Sequence, residues 1–424
     1  MRNELVPGNL TRIDSFASGT RLADIVRPPH ARTWPIAGAP AEMSWTNWDW
    51  PPVNRWAFQH IADFLRTERV SRGHGPVRSF GAAKQDIAGI VFSDFDGKQR
   101  TVGEMLDYTF TDGFLVLHDG KIVAEHYLNG MAPATLHLSQ SVVKSFTSTL
   151  IGILVGQGLI DIEKPVTHYL PELAKSGYAG ATVRQVLDMP ALAGMALIMA
   201  APDSEVAQLD RASGWKPRRD ASDVVSTKGQ IRTLEQERPH GGPFLYRSIE
   251  TEVLGWIASR VSGQSLAMLM SNELWQKMGA EFDANLTIDD EGTALADGGL
   301  SAAMRDYARL GQLYLDKGAW GNKQIVPESW VAACSTGDVE AFKPNYLERF
   351  RHFPNAAYSR QWWVIDTTTG MITARGIYGQ LIHVEPARRL VVVKLSSWPD
   401  PLSEDLSTTT YCAIEAIGRA LNGK

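Results

Sequence analysis

A long run of apolar residues at helical spacing covers residues 142–160, and it predicts a buried helix. Ser141 stands at the start of this run, where a serine either caps a helix or begins its first turn. Lys144 follows three residues later, on the same helix face, so the two side chains can touch. The pattern therefore brings a hydroxyl and an amine together where a buried helix begins.

Other apolar patterns outline the rest of the chain. Helical spacing recurs at 56–66, 182–189, 245–261, 266–278, 301–317 and about 403–421. Strand patterns occur at 361–366, 371–374, 381–384 and 390–395, and residues 68–90 are predicted to form a loop. Within residues 110–128, two apolar runs are joined by Asp119 and Gly120, which predicts a β-hairpin.

Early and late strands around a helical middle imply one antiparallel sheet built from both ends of the chain. The predicted fold class is α/β, of the α+β type, with helices flanking the sheet and a mostly helical lobe beside it. Residues 56–161 and 300–424 would form the sheet domain and residues 162–299 the helical domain. Residues 1–55 are predicted to be an extended N-terminal arm. The active site is expected between the lobes, where pockets commonly form.

Composition narrows the class of partner. The 424 residues are 44% hydrophobic and 21% charged, as in ordinary globular proteins. The formal net charge of -5 argues against nucleic acid as a partner. Two cysteines and ten scattered histidines show no spacing typical of a metal site, so no metal and no cofactor is predicted. The absence of a membrane-length apolar run and of a signal-peptide core favours a cytoplasmic protein with no membrane partner.

Ser141 and Lys144 are the first candidates for chemistry. Burial disfavours a charged amine, so we expect the pKa of Lys144 to be lowered and its neutral form to serve as a base. The helix N-terminus offers free N–H groups to an oxyanion. Together these features predict an activated serine nucleophile. A serine cap followed by a lysine that reaches solvent is the alternative, and this spacing alone does not exclude it.

Two further segments offer partners for the serine. Tyr246 lies just before a predicted helix at 249–261, where its hydroxyl could relay protons; alternatively it is a half-buried tyrosine at a helix start. The glycines of the segment 376–380 (GIYGQ) would let backbone N–H groups approach a substrate; alternatively they mark a bulge or turn.

The order of these motifs resembles the serine β-lactamase and penicillin-binding-protein superfamily. Within it, the chain is similar to the branch of class C β-lactamases, family VIII carboxylesterases and 6-aminohexanoate-dimer (nylon-oligomer) hydrolases, and most similar to the last. The resemblance runs from about residue 50 to the end. It rests on NRWAF at 54–58, FLVL at 114–117, PVT at 165–167, VLDM at 186–189, SGW at 213–215, DGGLS at 297–301, RQWW at 360–363 and VKLSSWPDP at 393–401.

The resemblance implies a role for each motif. Ser141 would be the nucleophile of an acyl-enzyme mechanism, Lys144 its partner base, and Tyr246 the proton carrier to the leaving group. Which of the lysine and the tyrosine is the immediate base stays open, because two coupled groups titrate as a pair. The backbone N–H groups of Ser141 and Ile377 would form the oxyanion hole. Asp297 would line the substrate cleft.

Substrate contacts are predicted at the same segments and at one loop that departs from the family. The Lys-Thr-Gly strand motif usual in β-lactamases is not present, and Tyr378 and Gln380 stand nearby instead, which disfavours a β-lactamase. Residues 190–201 carry no charge, where the family has a polar loop. Met195 takes the place of a tyrosine that assists the departing amine, and Leu197 and Met199 would add an apolar surface.

Three functions follow from these observations. The first is a serine hydrolase of linear amides and esters of the 6-aminohexanoate-oligomer type. The second, favoured by the apolar loop, is a carboxylesterase with weak amidase activity. The third is a non-catalytic penicillin-binding-type receptor, which the complete set of serine, lysine and tyrosine disfavours. The expected partner is a small amide or ester, and the pattern leaves a homodimer open.

Overall fold

The computed structural model of the protein describes residues 36–189, 204–236 and 239–423. The α-helices are α1 (Asn54–Ala57), α2 (Ile61–Phe64), α3 (Val102–Tyr108), α4 (Val143–Gly156), α5 (Val166–Tyr169), α6 (Val183–Asp188), α7 (Glu205–Ala212), α8 (Thr227–Thr233), α9 (Ile249–Ser262), α10 (Leu266–Met270), α11 (Met304–Leu315), α12 (Glu328–Cys334), α13 (Val339–Tyr346) and α14 (Glu404–Leu421). Within those ranges, none of the helices has both the length and the apolar content needed to cross a membrane.

The strands form two principal sheets and two short hairpins. They are β1 (Thr67–Val70), β2 (Gly81–Ala82), β3 (Val91–Ser93), β4 (Gln99–Thr101), β5 (Thr111–His118), β6 (Lys121–Tyr127), β7 (Leu136–Leu138), β8 (Ala284–Thr287), β9 (Leu300–Ala303), β10 (Ala319–Trp320), β11 (Lys323–Gln324), β12 (Ala357–Ser359), β13 (Trp362–Asp366), β14 (Met371–Gly376), β15 (Gln380–Glu385) and β16 (Leu390–Ser396).

The larger sheet joins the two ends of the chain, as the strand patterns predict. Its order is β12-β13-β14-β15-β16-β5-β6-β2, with antiparallel pairs throughout except for β2, which runs parallel to β6. The hairpin of β5 and β6 is confirmed. Asp119 and Gly120 have φ angles of 50° and 72°, which the tight hairpin turn requires and which glycine adopts without strain.

Helices cover both faces of this sheet. Leu115 and Leu117 point to the face that packs against α11, whereas Phe114 and Val116 point to the face under α3 and α14. Successive side chains of a strand alternate between faces, and all four of these are completely buried. A central strand buried on both faces reads as a continuous apolar run, which explains the sequence FLVL. The predicted sheet flanked by helices is therefore confirmed.

The smaller sheet was not expected. Its order is β1-β8-β9-β7, so it contains a strand from the predicted loop at 68–90 and one from the predicted helical region. Strand β1 begins at Thr67 and pairs with β8, and β9 pairs with β7 and β8. The prediction of a single sheet is therefore wrong, because these short strands have partners far away in sequence. The proposed domain boundaries at 161 and 299 stay predictions.

Some predicted helix bounds also need correction. The helix predicted at 142–160 begins with a 3-10 turn, Gln140–Val142, and α4 then ends at Gly156. The helix predicted at 56–66 is split into α1 and α2. The helix predicted at 301–317 begins only at Met304, because Leu300–Ala303 is strand β9. In each case the apolar pattern fits the predicted helix as well as the observed structure. Spacing alone does not show where a helix begins, breaks or gives way to a paired strand.

The described part of the N-terminal arm packs onto the body. Trp48 is fully buried, its indole N–H donates to the carbonyl oxygen of Trp215 at 2.8 Å, and the two rings lie 5.3 Å apart. Residues 1–35 of the predicted arm lie outside the described residues. The segment 36–53 thus adds an aromatic layer that covers the start of the smaller sheet.

Candidate active site

The candidate nucleophile, Ser141, follows β7, an edge strand of the smaller sheet. The N–H of Ser139, next after β7, donates to the carbonyl oxygen of Leu300 on β9 at 2.7 Å. Gln140 then adopts a φ of 47°, which is uncommon for a residue other than glycine and often marks a functional turn. The 3-10 turn that follows holds Ser141 half-buried in front of α4. Paired strands before the turn and a buried helix after it therefore hold Ser141 in place.

Lys144 lies directly below the hydroxyl of Ser141. Its side chain is only 1% exposed, and Nζ lies 2.9 Å from Ser141 Oγ. The same amine donates to the carbonyl oxygen of Asp297 at 2.8 Å and contacts Asp297 Oδ2 at 3.1 Å. A fourth contact, at 3.2 Å, joins it to Ser248 Oγ just before α9. The lysine is therefore surrounded by acceptors, as an ammonium group requires.

The charge of Lys144 differs from the prediction. Burial by itself would lower the pKa of this amine, but the Asp297 carboxylate and the nearby Tyr246 outweigh burial and raise the pKa of Lys144 above its usual 10.5. An opposite charge in direct contact favours the charged form of a group. The expectation of a neutral resting lysine is therefore wrong, because it considered burial without the carboxylate that accompanies it.

Glu252 of α9 completes a buried carboxyl pair. The backbone N–H of Asp297 donates to Glu252 Oε1 at 2.8 Å, and Glu252 is only 3% exposed. Burial and the charge of Asp297 raise the pKa of Glu252 well above its usual range, which favours the neutral form of this side chain. Asp297 Oδ2 lies 3.1 Å from Lys144 Nζ, so the buried cation has a carboxylate in direct contact.

Tyr246 is held at the cavity wall by aromatic packing. Its ring stacks on Trp363 with centroids 5.2 Å apart, and its backbone N–H donates to the hydroxyl of Tyr346 at 3.1 Å. Lys144 Nζ lies 5.3 Å from the centroid of the same ring. Next to it, Arg247 is buried and paired with Glu205 and Glu250. These contacts fix the tyrosine on the same side of the cavity as the lysine.

The end of strand β14, inside the larger sheet, lies on the other side of Ser141. A Cβ added to Gly376 would lie 2.6 Å from the carbonyl oxygen of Ser139, so only glycine allows the end of β14 to approach the nucleophile turn this closely. Ile377 follows and lines the same cavity as Ser141. Each of these two residues lies in a 3-10 turn at the cavity wall. Their backbone N–H groups are therefore the candidates for binding an oxyanion.

The cavity around Ser141 has a volume of about 170 Å³. Its wall includes Tyr246, Trp363, Ile377 and Gln380. The Gln380 amide is already engaged, because its Nε2 donates to the carbonyl oxygen of Ser396 at 2.6 Å and its Oε1 accepts from the N–H of Ser396 at 3.0 Å. Gln380 therefore shapes the wall and has little capacity left to bind a substrate by hydrogen bonds.

Two residues predicted to contact substrate lie elsewhere. Asp297 does not line the cavity; it is 8% exposed and its carboxylate faces Lys144. Tyr378 is 2% exposed and packs against Phe58 in the core, with ring centroids 5.3 Å apart. Its φ of 60° turns the side chain away from the neighbouring cavity residues. Met195, Leu197 and Met199, together with the remainder of the loop 190–201, lie outside the described residues.

The described residues contain no group of three or more histidine, cysteine, aspartate or glutamate side chains that could hold a metal ion. A larger cavity, of about 850 Å³, lies between the β3–β4 hairpin and α14. None of the residues predicted to act in catalysis lines it. The candidate chemistry is thus concentrated in the smaller cavity at Ser141.

Several residues of the site carried no signal in the sequence. Ser248, which contacts Lys144, and Glu252, which contacts Asp297, are separated from their partners by more than one element. Arg349 and Arg375 line the cavity but belong to different segments without a shared motif. Ser248 alone among these residues could have been found from the sequence, because it lies two residues after the candidate Tyr246.

Comparisons with known proteins identify the family of this chain. The beta-lactamase family profile matches residues 99–416. The 6-aminohexanoate-dimer hydrolase of Paenarthrobacter ureafaciens is 38% identical over 373 residues, which cover 88% of this chain and 92% of that protein. A Bacillus anthracis structure provisionally described as a 6-aminohexanoate-dimer hydrolase superposes with a TM-score of 0.81 and 28% identity, over 90% of this chain and 97% of that one. An octameric penicillin-binding protein homologue from Pyrococcus abyssi, at 17% identity and a TM-score of 0.57 over 76% of each chain, shares the fold.

Proposed function

Because this chain belongs to the beta-lactamase family and is a hydrolase, we propose that it cleaves linear amides of the 6-aminohexanoate-oligomer type through a covalent acyl-enzyme. The observation that carries this proposal is the distance of 2.9 Å between Ser141 Oγ and Lys144 Nζ, at the wall of a cavity that Tyr246 also lines. The substrate type is suggested by the relative from Paenarthrobacter ureafaciens, whose name is 6-aminohexanoate-dimer hydrolase.

Acylation begins with the attack of Ser141 Oγ on the amide carbonyl carbon. Lys144 is already protonated and donates to Oγ, so the serine proton must pass to Tyr246, which acts in its phenolate form and becomes a neutral phenol. The ammonium group of Lys144 stabilises the phenolate before the transfer and the negative charge on the serine oxygen during the attack. The N–H groups of Ser141 and Ile377 hold the carbonyl oxygen while it carries the charge of the tetrahedral intermediate.

The intermediate then collapses. The C–N bond breaks, and Tyr246 returns the proton to the departing nitrogen, which leaves as a neutral amine. A water molecule next attacks the ester of Ser141, with Tyr246 again taking a proton, and the acid product leaves as the serine regains its hydrogen. Two covalent steps thus replace one difficult hydrolysis, and all protons pass through the same tyrosine.

Ester hydrolysis by the same residues is the second candidate. The uncharged segment 190–201 favours it, because an apolar surface suits hydrophobic ester groups and a methionine at 195 has no proton to offer a departing amine. A parallel assay with a p-nitrophenyl ester, the 6-aminohexanoate dimer and a chromogenic cephalosporin separates amidase, esterase and β-lactamase activities.

The proposal is tested by Ser141→Ala. We expect the rate of amide hydrolysis to fall by about 10⁴-fold or more, because a nucleophile has no substitute in a covalent mechanism. Ser148→Ala, a change of a buried serine on the same helix α4, is the matched control and should retain activity. Mass spectrometry of quenched enzyme should show an acyl adduct on the peptide with Ser141 in the wild type only. Substantial activity in Ser141→Ala would place the nucleophile elsewhere.

A further inference from the structure

The charged groups at the Ser141 cavity are all of one sign within the described part of the chain. The residues that line the cavity include Arg349 and Arg375, together with aromatic, aliphatic and hydroxyl side chains, and no aspartate or glutamate. A cleft lined by charges of one sign concentrates ligands of the opposite sign. The cavity is therefore suited to an anionic group next to the reacting bond.

Arg375 is held in a fixed position without an acidic partner. Its guanidinium donates to the hydroxyl of Ser407 on α14 at 2.9 Å. It also lies over the rings of Phe350, Trp363 and Tyr411, at 5.3, 5.6 and 5.6 Å from their centroids. Among the described residues, no carboxylate forms an ion pair with it. Aromatic faces thus orient this guanidinium, and several of its N–H groups are left for a ligand.

Arg349 adds a second positive charge without an anion to balance it. It is exposed to solvent and forms no ion pair or hydrogen bond with another described residue. Partial desolvation and the charge of Arg375 lower the pKa of the Arg349 guanidinium. The nearby Glu404 is engaged with Arg351. Two like charges at one cavity repel each other, and a bound anion would relieve that repulsion.

The arginines stand on the leaving-group side of the site. Trp363 contacts both Tyr246 and Arg375, and Arg349 lines the same cavity. In the proposed mechanism Tyr246 protonates the departing amine. The cavity next to Tyr246 therefore offers two guanidinium groups to the part of the substrate beyond that amine.

We propose that Arg349 and Arg375 bind a free carboxylate on the amine half of the substrate. This inference rests on the proposed function and specifies its substrate class: a linear amide whose leaving group is an ω-amino acid. In an amide formed from two 6-aminohexanoate units, the unit that supplies the amide nitrogen keeps its own carboxylate free. Guanidinium groups bind carboxylates through paired N–H donors, so the two arginines select this end over an uncharged one.

The test compares a matched pair of substrates. One is the 6-aminohexanoate dimer and the other is the same molecule with its terminal carboxylate converted to a carboxamide. For the wild type, we expect kcat/KM to be about 10- to 100-fold higher on the carboxylate, the range typical of a hydrogen bond to a charged group. Arg349→Ala should remove most of this preference, because it should raise KM much more for the carboxylate substrate than for the carboxamide.

Control variants separate carboxylate binding by the two arginines from a general effect of losing a positive charge. Arg349→Lys keeps the charge and should keep part of the preference. Arg375→Met retains a long side chain against the three rings and should also lose the preference. Arg69→Ala removes a positive charge that is paired with Asp283 on the smaller sheet, and it should leave the ratio unchanged. An equal loss on both substrates, or an unchanged ratio in Arg349→Ala, would overturn the inference while leaving the proposed function intact.

A binding measurement keeps the inference independent of turnover. Titration calorimetry with 6-aminohexanoate and with 6-aminohexanamide should show tighter binding of the carboxylate to the wild type, and this difference should disappear in Arg349→Ala. If neither amide is hydrolysed, the proposed function fails, but loss of carboxylate binding in the variant still supports the anion site. Equal binding of the two probes by the wild type would refute the site directly.

Discussion

Two lysines of this protein are equally buried and differ in their charge. Lys144 on α4 and Lys394 on β16 are 1% and 0% exposed. The pKa of Lys144 is raised above its usual value, whereas burial lowers the pKa of Lys394 to about 7. Because their burial is the same, the difference must come from the groups that surround each amine.

The surroundings of Lys394 are polar, but no carboxylate of the described residues forms an ion pair with its amine. Its Nζ donates to the carbonyl oxygen of Thr109 at 3.2 Å and to Ser396 Oγ, and it lies 5.4 Å from the Trp398 ring centroid. The Asp112 carboxylate favours the charged form only weakly, since it is occupied by Arg55 and His137. Neutral acceptors thus satisfy the hydrogen bonds of this amine without offsetting its loss of hydration.

The contrast shows that a carboxylate in contact with a buried lysine decides whether its amine is charged. Desolvation acts on both amines, but only Lys144 touches a carboxylate. The protein thereby obtains a fixed positive charge beside the nucleophile, where a negative charge develops during reaction. A lysine buried in the manner of Lys394 would instead offer a base. This comparison leads to three predictions, given from the largest effect to the smallest.

The largest effect is expected on activity. Lys144→Met should reduce amide hydrolysis by about 10²- to 10⁴-fold, because it removes the cation that stabilises the reacting serine and tyrosine. Lys394→Met should leave the rate nearly unchanged, since the amine of Lys394 contacts Thr109 and Ser396 and not Ser141. Kinetics on both variants, with circular dichroism to show that each is folded, measure the difference. Equal losses would mean that the lysine at 144 contributes to folding alone.

The second prediction is that Asp297→Asn makes Lys144 behave like Lys394. Without the carboxylate, desolvation dominates and the pKa of Lys144 should fall below 10.5. Since the proposed mechanism needs the ammonium form, kcat of the variant should fall as pH rises from 7 to 9, by about one decade for each unit beyond the lowered pKa of Lys144. The wild type should show no such loss, because the pKa of its Lys144 lies above this interval.

The opposite result would be equally informative. A neutral lysine acting as general base predicts that Asp297→Asn gains activity as pH rises, because more of the amine is then deprotonated. Asp289→Asn changes another buried aspartate, which binds backbone N–H groups of Thr227 and Thr293, and serves as the control for loss of a buried carboxylate. Rate profiles from pH 6 to 10 on all three proteins separate the two mechanisms.

The sequence was sufficient wherever structure depends on neighbours along the chain. The Asp119-Gly120 turn, the buried α4 and the contact between Ser141 and Lys144 follow from spacing of one to four residues. The charge of Lys144 does not follow from local spacing, because its partner Asp297 lies 153 residues away in the sequence. Strand β9 could not be predicted for the same reason, since its apolar residues suit a strand or a helix until its pairing with β7 is known.

The cavity wall was harder to predict than the catalytic residues. Tyr378 and Gln380 were assigned to the substrate by their place beside the glycines. The left-handed backbone at Tyr378 instead directs its ring into the core, and Gln380 bonds to its own sheet. Arg349 and Arg375 went unnoticed because two single charges in separate segments form no pattern. A side chain's direction at a sheet edge depends on local backbone angles, which spacing does not reveal.

The last prediction concerns the pH dependence of stability. In the unfolded chain Lys394 holds its proton up to about pH 10.4, whereas in the folded chain it loses the proton near a pKa of about 7. Unfolding therefore takes up a proton between these values, and the free energy of unfolding should rise with pH. The contribution of Lys394 should be about 2 kcal/mol between pH 7.5 and 9.5. Lys144 adds nothing in this interval, since its pKa is raised and its stabilising effect is lost only above 10.5.

Urea denaturation at pH 7.5 and 9.5 tests this expectation, with Lys394→Met compared with the wild type. The variant should lose the rise attributed to Lys394, while Lys121→Met, at an exposed position, should retain it. If Lys394→Met and the wild type gain stability equally with pH, then Lys394 keeps its proton in the fold. Neutral acceptors would then be enough to hold a buried ammonium group, and the charge of Lys144 could no longer be attributed to Asp297.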